Sequence, residues 1–127
     1  MKSYTDLKQS KKLAEILPIE SADHHYVRKV QDSMGNPVAG KWSTPKYGNP
    51  NSSHASYMSI GFINFEIIPC WSLAALLGVL PEAMLGKDKD GYVLMNETMG
   101  SGLVTTSDNS IDACYEMILK LNELKLL

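Results

Sequence analysis

The sequence is poor in cysteine, has no excess of basic residues and contains no long hydrophobic segment. Its two cysteines, Cys70 and Cys114, are too few for a small secreted disulfide scaffold. The 12 Lys and Arg residues and 14 Asp and Glu residues leave a net charge of −2, so we expect no nucleic-acid partner. The longest apolar run falls well short of the roughly 20 residues that a membrane-spanning helix needs. The N-terminus, MKSYTDLKQSKK, lacks the apolar core of a signal peptide, which predicts a cytoplasmic protein.

The composition is that of a globular protein, with 44% hydrophobic and 20% charged residues. A chain of 127 residues fits one domain of ordinary size, so we expect residues 1–127 to form a single domain. Such a domain buries about two-thirds of its unfolded surface and needs no metal or disulfide to fold.

Apolar periodicity predicts three helices, at residues 5–17, 71–79 and 109–125. Thr5 or Ser3 is expected to cap the first helix, and Pro18 to end it. The third helix is amphipathic, with Asp108 or Ser107 expected as its cap. Its predicted apolar face consists of Ile111, Cys114, Met117, Ile118, Leu121 and Leu124.

Strand-forming residues cluster at 57–68, 91–96 and 102–106, with 25–30 as an optional fourth strand. Pro69 is expected to close the first of these strands. The pattern therefore predicts an α+β fold, in which a small antiparallel sheet of three to four strands packs with three helices.

Residues 32–56 are rich in Gly, Pro, Asn and Ser, so no long regular element is expected there. Either short strands lie around Val38 and Trp42, or the segment is a mobile loop with a function. Trp42, Tyr47 and His54 would then form a binding surface, because aromatic side chains on polar loops often anchor partners. The alternative is that Trp42 packs into the core beneath its loop.

Cys70 lies in the apolar stretch IIPCWSLAALLGVLP, where the predicted second helix begins. A thiolate at a helix N-terminus is stabilised by unpaired N–H groups, and His24, His25 or His54 could supply a base. No catalytic signature surrounds this cysteine, however, so the simpler interpretation is a small apolar residue packed under Trp71. His24 and His25 are adjacent on a predicted strand and point to opposite faces, so they do not readily share a metal ion.

The segment GKDKDGYVLMNE, residues 86–97, partly matches a calcium-binding loop. Asp88, Asp90 and Glu97 fall on ligand positions, but Gly86 replaces the first aspartate and the exiting helix is missing. A charged surface turn explains the same residues without a metal. No motif in the chain calls for a cofactor.

Three stretches, YTDLKQSKKLAEILPIESAD, IPCWSLAALLGVLP and SDNSIDACYEMILKLNELKLL, occur in this order. Together they resemble a family of short uncharacterised proteins of gut anaerobic bacteria and their phages and mobile elements. In that family proline often stands where this chain has Ser110, and either residue suits a first helical turn. The resemblance implies a small cytoplasmic domain of bacterial or phage origin, and supplies no reaction, cofactor or catalytic residue.

These observations favour a non-enzymatic accessory protein of a mobile element, which binds another protein or a second copy of itself. The alternative is a small cysteine-dependent enzyme that uses Cys70 with a nearby histidine. A DNA-associated accessory factor is a third class, which the acidic charge balance disfavours.

Overall fold

A computed structural model of the chain describes residues 2–32, 34–51, 64–81, 83–89, 91–96 and 103–127. It contains three α-helices and two three-stranded antiparallel sheets within these ranges, which confirms the predicted α+β class. The strands form two separate sheets, whereas the sequence predicted a single one. The chain groups into two compact units, one formed by Asp6–Trp71 and the other by Met1–Thr5 with Ser72–Leu127. A single domain over residues 1–127 stays a prediction.

In its described residues, the Asp6–Trp71 unit contains helix α1 (Leu7–Ala14), a short 3-10 helix at Ile19–Ser21 and three strands. These are β1 (His24–Lys29), β2 (Lys46–Tyr47) and β3 (Phe65–Cys70), in the order β2-β1-β3. The optional fourth strand of the prediction is thus the centre of this sheet. Helix α1 packs against β3, and Leu13 of α1 is fully buried.

The first helix begins later and ends earlier than predicted. Its N-cap is Asp6, not Thr5 or Ser3, because the Asp6 carboxylate accepts a hydrogen bond of 2.8 Å from the Gln9 N–H. The Gln9 side chain accepts a bond from the Asp6 N–H in return, which completes a capping box. The regular helix ends at Ala14, although the Leu17 N–H still donates to the Leu13 carbonyl oxygen at 2.8 Å. Pro18 has no N–H to donate to the next carbonyl, that of Ala14, so the helix cannot continue past this point, as predicted.

Residues 37–47 follow the edge of β1 as an irregular extended segment. The N–H groups of Val38, Gly40 and Ser43 donate to carbonyl oxygens of Val30, Lys29 and Val27, at 3.0, 3.1 and 2.9 Å. A Cβ on Gly40 would lie 2.3 Å from the Lys29 oxygen, so only glycine permits this close approach. The predicted loop is therefore ordered along β1 in this part, and residues 52–56 lie outside the described ranges.

Strand β3 extends further than predicted and includes Pro69 and Cys70. Proline has no N–H to donate, and β3 lies at an edge of its sheet in the described part of the chain, where that loss is tolerated. The second helix begins at Leu73, with Ser72 as its N-cap. Cys70 is thus the last residue of a strand, and its predicted place at a helix N-terminus is wrong. The expected strand over residues 57–63 lies outside the described ranges.

The other unit contains α2 (Leu73–Val79), three strands and α3 (Ser110–Glu123). The strands are β4 (Ala83–Asp88), β5 (Gly91–Asn96) and β6 (Leu103–Ser107), paired in the order β4-β5-β6. β5 and β6 agree with the predicted hairpin, whereas β4 was not predicted. In the described part of the chain no helix combines the length and the apolar character needed to cross a bilayer.

Helix α3 packs on one face of the β4-β5-β6 sheet. Leu94 of β5 is fully buried on that face, and the Thr105 hydroxyl of β6 donates to the Ala113 carbonyl oxygen at 2.8 Å. The predicted apolar face of the helix is buried except for Leu124, which follows the last helical residue and is 54% exposed. Asn109, not Asp108 or Ser107, is the N-cap, since its side chain accepts from the Asp112 N–H.

Removal of the capping box should destabilise the Asp6–Trp71 unit. We expect Asp6→Ala to lower the free energy of unfolding by about 1 kcal/mol, because the Gln9 N–H loses its acceptor. Urea denaturation followed by circular dichroism measures this change. Glu15→Ala at the C-cap of the same helix is the control, since Glu15 is exposed and its carboxylate is 3.6 Å from the Lys12 ammonium. Equal losses in both variants would contradict the assigned cap.

Candidate functional site

The β1–β3 pairing places Cys70 beside His24. These two residues are direct partners in the antiparallel register, and Tyr26 and Ile68 are the next partners whose side chains lie on the same face. Cβ atoms of directly opposite residues lie about 4.5–5.5 Å apart. Of the two histidines among the described residues, His24 is the one that the register brings to Cys70.

Two further groups join this arrangement. The Asp23 carboxylate lies 2.9 Å from Nδ1 of His24. The Tyr26 hydroxyl is hydrogen-bonded to the Cys70 sulfur. The pKa of Tyr26 is raised above its ordinary value, first because the side chain is buried and second because it interacts electrostatically with Cys70. Cysteine, histidine, aspartate and tyrosine therefore form one cluster, which we call the thiol cluster. These are the residue types that a cysteine enzyme uses.

The thiol of this cluster is buried, whereas the Asp23 side chain is 36% exposed. Cys70 has no exposed surface, Tyr26 is 8% exposed, and the side chain of His24 is 12% exposed. A nucleophile must reach its substrate, whereas a thiol buried in this way behaves as a small core residue. Trp71, which follows Cys70, is also fully buried and donates from Nε1 to the Ser21 hydroxyl at 2.9 Å. The geometry thus supports the structural interpretation of Cys70.

His24 and His25 point to opposite faces of β1, as predicted from their adjacency. His25 is 2% exposed, and its Nδ1 donates to the Gly48 carbonyl oxygen at 3.0 Å. It therefore holds the turn after β2 and does not join the thiol cluster. Among the described residues, no group of three or more His, Cys, Asp or Glu side chains could hold a metal ion.

The predicted binding residues Trp42 and Tyr47 lie at different ends of β1. Trp42 is half-buried and lies under the Arg28 guanidinium, 4.7 Å from its ring centroid. Arg28 is also paired with Glu66, at 2.6 Å. Tyr47 is 87% exposed and meets His24 edge to face. Since His24 and Arg28 are four residues apart, about 13 Å along a strand, the two aromatic rings do not form one platform. His54 lies outside the described residues.

The described residues of the predicted calcium loop belong mostly to two paired strands. Asp88 is the last residue of β4 and pairs with Gly91 of β5, so residues 86–88 are strand and not ligand loop. The side chain of Asp88 is exposed at this hairpin end. Asp90 and Glu97 lie outside the described residues.

One apolar surface was not predicted. The sheet face turned away from α3, which we call the outer face, comprises Met84, Gly86, Asp88, Gly91, Val93, Met95, Val104 and Thr106. Met84, Met95 and Val104 are direct neighbours across the three strands and are 66%, 39% and 45% exposed. Asp88 is the only charged residue of the eight. The sequence AMLGKD of β4 alternates between the two faces of the sheet, and this alternation could have predicted the strand. Gly86 and the charged Lys87 and Asp88 obscured it.

Comparison with known proteins adds no relative: no protein-family model matches the chain, and no curated protein and no solved structure shows significant similarity to it.

Enclosure of Cys70 predicts slow alkylation in the native state. In a Cys114→Ser background, we expect iodoacetamide to react with Cys70 only at the rate at which the protein unfolds, over the whole neutral pH range. Mass spectrometry of timed samples gives the rate, and the urea-unfolded protein is the control. Fast native reaction that titrates well below the free-thiol pKa of about 8.5 would contradict the structural interpretation.

The burial of Cys114 on the apolar face of α3 can be tested through the pH dependence of stability. Burial raises the pKa of the Cys114 thiol to about 11. Between the unfolded value of about 8.5 and this value, only the unfolded state releases its proton, so the contribution of Cys114 to stability falls as the pH rises. The slope is at most about 1.4 kcal/mol per pH unit.

The measurement is the difference in free energy of unfolding between the wild type and Cys114→Ala. We expect this difference to narrow from about pH 8.5 to about pH 11, and to be constant below that window, where both states hold the proton. Tyrosines and lysines are common to both proteins, so their titration cancels. A difference that stays constant throughout would show that Cys114 ionises equally in both states.

Proposed function

We propose that the chain is a non-enzymatic accessory protein of a bacterium, phage or mobile element, and that it binds another protein through the outer face. The observation that carries this proposal is the exposed row of Met84, Met95 and Val104 across three paired strands. Contiguous apolar side chains on a folded surface are characteristic of protein contact sites, and methionine is common where a surface adapts to a partner.

The remaining chemistry of the chain is consistent with a binding role. The Cys70 thiol and the Tyr26 side chain of the thiol cluster are buried inside the Asp6–Trp71 unit. Both cysteines are buried free thiols, which suits the reducing conditions of the cytoplasm. The family resemblance supports an origin in bacteria or their mobile elements.

Site-specific crosslinking tests the contact surface. A photoreactive phenylalanine derivative at position 84 should give a discrete covalent adduct when cells of the encoding strain are irradiated, because position 84 protrudes from the outer face. The same residue at position 8, an exposed site on α1, is the control and should give none. Addition of Val104→Lys should abolish the adduct, since it places a charge in the apolar row. Absence of an adduct at position 84, or its persistence with Val104→Lys, would refute the proposal.

A cysteine-dependent enzyme is the second candidate, and one observation favours it. His24 lies directly opposite Cys70 in the register, and Asp23 lies against His24. Catalysis by this group would require the covering structure to open, because Cys70 has no exposed surface. Rapid native alkylation of Cys70 at neutral pH would select this candidate over the binding protein.

A further inference from the structure

We draw no further inference here: the strongest candidate, the cavity of about 440 Å³ at the end of the β4–β5 hairpin, depends on the exposed aspartates Asp88 and Asp108, and nothing in the described part of the chain shows which ligand would occupy it.

Discussion

The register of β5 between β4 and β6 determines both faces of the sheet in the unit that carries the apolar row. Side chains alternate along a strand, so the pairing that buries Leu94 against α3 must also expose Met95. A slip of one residue would exchange the two faces and bring Met95 inside. The bond from the Thr105 hydroxyl to the Ala113 carbonyl adds a polar contact whose position depends on the same register. The exposed row is therefore a consequence of the packing of α3, and it cannot be removed by a shift of the strands without loss of the core.

The elements that the sequence predicted best are those whose local pattern and tertiary role agree. Helix α3 has a complete apolar face and a capping residue, and β5 has consecutive strand-forming side chains. β4 was missed because Gly86, Lys87 and Asp88 have low strand propensity, and only its pairing with β5 makes it a strand. Pro69 was expected to close β3, although an edge strand can accommodate a missing N–H. In both cases, pairing with a distant strand determined the secondary structure of a segment whose own residues do not favour a strand.

The candidate site was even harder to predict from the sequence than the fold. His24 and Cys70 are far apart along the chain, and only the β1–β3 register makes them neighbours. His24 and His25 were equal candidates until that register was known. Trp42 and Tyr47 were grouped because they are close in sequence, but they follow β1 in an extended course, which separates their rings. Proximity along an extended segment is a poor guide to proximity in space, since each residue adds about 3.3 Å.

The distribution of polar and apolar groups bears on the choice between catalysis and binding. Catalysis requires a reactive group that substrate can reach, and the Cys70 thiol is fully buried beside a tyrosine that burial keeps in the protonated form. Binding requires apolar surface that the folded chain leaves unburied, and the outer face supplies it in the row of Met84, Met95 and Val104.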